Sequence, residues 1–162
     1  MGRRNYLIEG VSGTGKTSVC TELARRGHHA VHGDRELAYQ GDPVTGAPTE
    51  GLGHQHHIWN VPRVRELVDD HQVPVTFFCG GSRNFGAFIE LFDDVFVLHV
   101  DVDTLRERLD QRPDDEWGSQ PKERALVLRL HATQEDTPSG VALDATRPLS
   151  EVVDDILRRV EP

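Results

Sequence analysis

Near the amino end, Gly10-Val11-Ser12-Gly13-Thr14-Gly15-Lys16-Thr17 spells G-x-x-x-x-G-K-T. Glycines at these spacings let successive main-chain amides turn inward around an anion, and a lysine placed just after them adds a compact positive charge. Lysine is scarce here, occurring only as Lys16 and Lys122 while arginine supplies the other cations. The string therefore predicts a cradle for a nucleoside triphosphate, built from Gly10, Ser12, Gly13, Thr14, Gly15, Lys16, Thr17 and Ser18. The Thr17 hydroxyl is expected to ligate Mg²⁺, and the start of the following helix adds its partial positive charge. A glycine-rich turn that binds nothing is the plainer alternative.

Three further stations carry residues suited to moving a phosphoryl group. Asp34 follows "HAVH" and is expected at the rim of the cradle, as proton acceptor for an attacking hydroxyl or on the Mg²⁺ side. Gly80 and Gly81, after "FFC", permit close backbone approach, and Arg83 then aims a forked cation at the same rim. No aspartate ends that third strand, so Asp34 is the substitute for the missing carboxylate. Arg108 and Arg112 sit one helical turn apart beside the polar stretch 112–120, with Lys122 and Arg124 beyond it. That suits a short lid, about 112–122, closing over a triphosphate and excluding water. The plainer roles are a helix cap for Asp34, a surface ion pair for Arg83 and a solvated helix face for the lid arginines.

The elements that must position these groups alternate. "NYLIE", "HAVH", "VPVTFFC", "VFVLHV" and "GVALDA" are short apolar runs bounded by turn formers, and predict five strands. Helical spacing appears over 16–26, ended by Gly27, and over 62–70, opened by Pro62. It recurs over 84–92, over 103–111 with Thr104 and Glu107 as a capping box, and over 121–132. The last helix carries Val152, Val153, Ile156, Leu157 and Val160 on one stripe behind Ser150 as cap. Strand and helix in alternation predict an α/β fold, a parallel sheet covered on both faces, with ligands at the carboxyl ends of its strands. Residues 40–57 break the rhythm and predict a long loop.

Composition narrows the function. The 162 residues predict one domain over 1–162. A net charge of −9 speaks against a nucleic-acid partner. Two cysteines, Cys20 and Cys79, are too few for a disulfide framework and fit a reducing compartment. With no apolar segment of spanning or signal length, the expectation is a cytoplasmic protein without a membrane partner, monomeric or a homodimer.

In the order of these motifs the chain resembles the small P-loop kinases grouped with adenylate kinase, shikimate kinase and gluconate kinase. The likeness runs over nearly the whole length, through the P-loop, Asp34, the "CGGSRN" turn, "RLDQR" and the final "DATRP". It implies a three-layer P-loop fold with sheet order 2-3-1-4-5, ATP and Mg²⁺ as cofactors, and catalytic roles for Lys16, Asp34, Arg83 and Arg112. It further implies that Arg108, Arg147 and Pro148 lie around the adenine. Where that pattern has a third glycine, this chain has "CGGSRN", so the acceptor does not follow by analogy with shikimate. The acceptor insertion, about 35–72, offers Arg35, Tyr39, His57 and Trp59, beside Asp34 at the end of the second strand and Gly80, Gly81 and Arg83 from the neighbouring turn. His54 and His56 lie in the same segment, which could instead hold a metal or stand as an open loop. Flat amphipathic rings suit a sugar or a heterocycle. The expectation is transfer of the γ-phosphoryl group of ATP to a hydroxyl of a small metabolite, nucleoside-like or sugar-like, antibiotics included. A nucleoside monophosphate kinase is the first alternative, needing Arg35, Arg63 and Arg83 to converge on one phosphate; a nucleotide switch with little turnover is the second.

Overall fold

The computed structural model describes residues 4–50, 53–70 and 72–161. Gly51 and Leu52 of the predicted loop, and the first three residues of the chain, lie outside the described residues. Strand β1 (Arg4–Glu9) leads into helix α1 (Lys16–Arg25), then β2 (His29–His32), a single helical turn α2 (Gly33–Glu36), β3 (Ala38–Gln40), β4 (His57–Trp59) and α3 (Val61–Asp69). Strand β5 (Val75–Cys79), β6 (Asp94–His99), α4 (Val102–Asp110), α5 (Pro121–Thr133), β7 (Val141–Asp144) and α6 (Leu149–Val160) follow.

The five predicted strands form one parallel sheet in the order β2-β5-β1-β6-β7. Counted among themselves these are strands 2-3-1-4-5, and the higher labels arise from the small β3–β4 ribbon that intervenes. Because side chains alternate across a strand, β1 sends Tyr6 and Ile8 to one face and Leu7 to the other. On the first face Tyr6, Ile8, Phe77, Phe96 and Leu98 pack against α1, α4, α5 and the stripe Val152, Val153, Ile156 and Val160 of α6. On the second, Leu7, Val31, Phe78 and Val97 pack against Val64 of α3, Trp59, Phe88 and Phe92. Two apolar layers, one on each side of a parallel sheet, give the three-layer α/β fold.

Four local expectations change. The stretch 40–57 is not structureless: β3 pairs antiparallel with β4, Gly41 bridges Pro48, and His54–His56 makes a 3-10 turn. Residues 84–92 form two 3-10 turns, Phe85–Ala87 and Ile89–Leu91, rather than an α-helix. The reason is tertiary: the Asn84 side chain accepts from Trp59 N and donates to Trp59 O, both at 3.0 Å, so the segment is tied to β4 where a helix would have to start. Helix α4 is capped by Asp101, whose carboxylate accepts from Thr104 N at 2.7 Å, so Thr104 lies inside the first turn and forms no capping box. Ser150 likewise lies inside α6, whose cap position is Pro148. Among the described residues no helix is long and apolar enough to cross a membrane.

Candidate active site

A cleft of about 620 Å³ opens at the carboxyl ends of β1, β2 and β5. Parallel strands bring their last residues to one edge, so Glu9 and Gly10 after β1, Asp34 after β2, and Gly81 and Arg83 after β5 line the same space. The glycine loop forms its floor. Gly13 and Gly15 stand at φ 91° and 101°, in the left-handed region, so the turn that brings the amides inward requires glycine. Ser12, Gly13, Gly15, Lys16, Thr17 and Ser18 face the cleft. Thr14 does not: it is buried, and its hydroxyl donates to Val11 O at 2.8 Å, bracing the loop from within. The Lys16 ammonium donates to Gly10 O across the loop.

Asp34 lines the cleft with 42 % of its side chain exposed. Its Oδ1 accepts from His57 Nε2 at 2.9 Å, Gly81 N at 3.3 Å and Trp59 Nε1 at 3.4 Å. Burial works to raise its pKa, but the His57 bond, the Lys16 charge and the Trp59 bond prevail, and the carboxyl sits below its ordinary value. It is therefore ionised at neutral pH, and an ionised carboxylate only accepts, so the shared proton belongs to His57 Nε2. Trp59 itself is fully buried and stacks flat on Phe88 at a centroid distance of 5.4 Å. It supports Asp34 from below and is closed to a substrate.

Arg83 is the pivot between the two halves of the cleft. Its Nη1 donates to Asp136 O at 2.9 Å and lies 3.2 Å from Asp136 Oδ2, while its buried Nε has no partner among the described residues. The other edge of the guanidinium faces the phosphate loop: a Cβ built on Gly81 would lie 3.4 Å from Arg83 Nη2, 3.5 Å from Lys16 Nζ and 2.8 Å from Glu9 Oε1. Two cations and one carboxylate thus surround a single point at the mouth of the loop, and Gly81 has no side chain because that point is taken.

Glu9 and Asp136 are among the cleft residues that carried no role in the sequence analysis, as are Gln40, Glu116, Trp117 and Thr137. Glu9 is only 2 % exposed, accepts from Gly10 N at 3.0 Å, and is pushed by burial up to about 7 despite Lys16, the Gly10 amide and Arg83. Its signal was visible, a charged residue ending an otherwise apolar strand. Asp136 lies in the connector between α5 and β7, 53 residues from Arg83, and had no local signal. The same carboxylate holds His54 Nε2 at 2.9 Å, and the His54 ring stacks on Trp117 of the 112–120 stretch at 5.7 Å.

The predicted lid arginines reach the loop. Arg108 donates to Gly13 O at 3.2 Å and Ala145 O at 3.0 Å, tying α4 to both the phosphate loop and the end of β7. Arg112 donates to Trp117 O, fastening the lid turn to its own helix. Both line the cleft.

Other predicted site residues stand elsewhere. Arg35 is exposed and outside the cleft lining, and Arg63 is engaged by Glu66 on the surface, so the three arginines required for a nucleoside monophosphate do not converge. Tyr39 donates its hydroxyl to Gly46 O at 2.7 Å and braces the ribbon. Gly80 lies behind Asp34, where a Cβ would meet Asp34 Oδ1 at 2.7 Å. Arg147 pairs with Asp155 on α6, and Pro148 caps that helix, both outside the cleft lining.

The donor set fits magnesium held chiefly by phosphate oxygens and water. Thr17 offers an exposed hydroxyl and Asp34 a carboxylate, while no cluster of three or more His, Cys, Asp or Glu able to hold a metal occurs among the described residues. Mg²⁺ in nucleotide sites keeps several waters and takes only one or two protein ligands, which is what this cleft provides. The His54–Trp59 segment belongs to no such cluster among the described residues.

Three solved structures share this fold. A sugar kinase from a Janibacter species is 20% identical, the alignment covering 96% of this chain and 93% of that one with a TM-score of 0.60. A gluconokinase from Sinorhizobium meliloti is 22% identical over 96% of this chain and 90% of that one, at 0.58. A shikimate kinase from Bacteroides thetaiotaomicron is 15% identical over 98% and 99%, at 0.59. At such identities the likeness establishes the P-loop kinase fold. No curated protein sequence matches the chain. The sequence profile of the AAA domain does match, over residues 7–129, from β1 and its glycine loop into α5. Since that stretch holds the whole phosphate cradle and most of the sequence, the chain belongs to the AAA domain family.

Proposed function

We propose that the protein is a small-molecule kinase that uses ATP and Mg²⁺ to phosphorylate a hydroxyl of a metabolite, nucleoside-like or sugar-like. The observation that carries this reading is the placement of an ionised carboxylate, Asp34, across one cleft from a glycine-and-lysine phosphate cradle, with the free edge of Arg83 between them.

The amides of Gly13, Gly15, Lys16 and Thr17 would hold the triphosphate, with Lys16 on its outer oxygens and Thr17 presenting its hydroxyl to the metal. Bound Mg²⁺ supplies charge neutralisation on the phosphates. Arg83 Nη2, beside Lys16 Nζ at the mouth of the loop, would receive an equatorial oxygen of the migrating group. Asp34 Oδ1 is occupied by its three donors, which leaves Oδ2 for the acceptor hydroxyl. The acceptor oxygen forms its bond to γ-phosphorus as the bond to the ADP oxygen breaks, and the hydroxyl proton passes to Asp34. A carboxylate with a depressed pKa is a weak base, yet phosphoryl transfer through a loose transition state makes little demand for early deprotonation. Asp34 therefore acts first by orienting the hydroxyl and last by taking its proton. The lid between Arg112 and Trp117 would keep water away from the migrating group.

A coupled ADP-release screen tests this with nucleosides, sugars, sugar acids and nucleoside monophosphates as acceptors and Lys16→Ala as blank. Acceptor-stimulated ADP release is the expected result. Tight Mg·ATP binding without stimulation by any acceptor would favour a nucleotide switch.

A further inference from the structure

Asp136 neutralises the one arginine that reaches the acceptor half of the cleft. The cations among the described lining residues are Lys16, Arg83, Arg108 and Arg112. Arg108 is spent on Gly13 O and Ala145 O, Arg112 on the lid turn, and Lys16 lies in the phosphate loop. Arg83 remains, and on its acceptor side it is held by both the carbonyl and the carboxylate of Asp136, with only 11 % of its side chain exposed. Its unengaged edge faces Lys16 and Glu9, where the phosphoryl group would migrate.

Away from the phosphate loop, and with Glu116 paired to Arg112 on the lid, the polar lining of the cleft is Asp34, Asp136, Gln40, His54, His57, Thr137 and the Trp117 ring. Two carboxylates stand against one paired guanidinium. The two imidazoles are each committed to a carboxylate, His54 to Asp136 and His57 to Asp34. An acid or phosphate ester entering here would meet no free cation and would have to approach two negative charges, an arrangement that rejects it in a partly desolvated site. Carboxylates instead accept from hydroxyls and ammonium groups, and an amide and a hydroxyl can both accept from and donate to a hydroxyl.

We infer that Asp136 selects the acceptor: by occupying Arg83 and His54 it restricts the site to hydroxylated molecules without negative charge, uncharged or amine-bearing polyols and nucleosides, and excludes sugar acids and phosphate esters. This rests on the kinase reading above and narrows it. It also separates the chain from the acid and phosphate acceptors that the shared fold would admit.

The test pairs each acceptor with its anionic counterpart: a hexose, an amino sugar and a nucleoside against the matching sugar acid and nucleoside monophosphate. Turnover is read by ADP release, and binding by calorimetry with Mg·ADP present. For the wild type, kcat/KM with the uncharged or amine-bearing member should exceed that with the acid by at least 100-fold. Asp136→Asn keeps the shape and the Arg83 bond to the main-chain carbonyl but removes the counter-charge, and should narrow that gap at least tenfold by improving the acid. Thermal melting of the variant confirms that it is folded, and Asp136→Glu should restore the preference. An acid or phosphate as the best acceptor, or a gap that Asp136→Asn leaves unmoved, overturns the inference. Tighter binding of the anionic members overturns it even where turnover is lacking. ADP release stimulated by no acceptor, with the uncharged members still bound in preference, would instead count against the kinase reading alone.

Discussion

His57 Nε2 lies 2.9 Å from Asp34 Oδ1, so an imidazole from the β3–β4 ribbon fixes a carboxylate that follows β2. The pair joins the acceptor excursion to the sheet edge, and it gives Asp34 a defined orientation toward the cleft. Asp34→Asn should lower turnover by about 10²–10⁴-fold, the usual contribution of a positioned acid or base, with Mg·ATP affinity kept within a few-fold. His57→Ala removes one hydrogen bond to a charged group and should cost roughly ten- to a hundred-fold in kcat/KM. Steady-state kinetics beside nucleotide calorimetry check both. Unchanged turnover in Asp34→Asn removes that carboxylate from the chemistry.

Glu9 predicts a pH dependence of folding. Its carboxyl is pushed from 4.5 to about 7 in the folded protein, mainly by burial, so between those values the native state binds a proton that the unfolded state does not. The stabilisation is complete below pH 4.5 and lost as pH rises through 7. Relative to Glu9→Gln, which stays neutral, the nucleotide-free wild type should lose about 3 kcal/mol of unfolding free energy across that window. Urea melts of both proteins at a series of pH values measure the difference, and parallel curves would show that Glu9 ionises normally.

Gly33 is pressed against the Trp59 ring, where an added Cβ would meet the indole at 2.1 Å. The ring cannot retreat, because Phe88 stacks on its other face. Gly33→Ala should therefore destabilise by about 1–3 kcal/mol through overpacking. For a chain of this size that is a drop of roughly 2–12 °C in Tm. It should also raise the KM for the acceptor, since moving Trp59 disturbs Asp34. A wild-type melting curve would mean that the ribbon shifts freely.

The His54–Trp117 stack joins the His54–His56 turn to the 112–120 stretch beside the cleft. On the kinase reading proposed above, Trp117→Ala removes that ring from the cleft wall and should admit water beside the bound nucleotide. The expected outcome is a several-fold rise in acceptor-independent ADP release together with a fall in acceptor-stimulated release. The ratio of the two rates, measured in one coupled assay, is the readout. A change in overall stability would move both rates in the same direction.

Local chemistry made the nucleotide half of the site legible. The phosphate loop, the five strands and most helices follow from residue types at short spacings: glycines that must take positive φ, β-branched runs between turns, and apolar stripes of helical period. Interactions within a few residues decide such features, and Lys16, Thr17, Arg108 and Arg112 all stand where that pattern predicts, along the cleft. Segment 84–92 shows the limit. Its apolar spacing is helical, but the bonds between Asn84 and the Trp59 backbone outweigh propensity and hold it in two short turns.

The sequence by itself determined the glycine-and-lysine loop at the strand end and the parallel sheet that carries it. Only the tertiary structure decided what the acceptor half looks like. Trp59, which composition would offer to a substrate, became a buried prop because β4 packs it on Phe88. Arg83, a free cation in the linear chain, acquired a counter-charge from Asp136 beyond α5. Charge pairing acts through a few ångströms of space whatever the separation along the chain, so the sign of the acceptor site is set by folding.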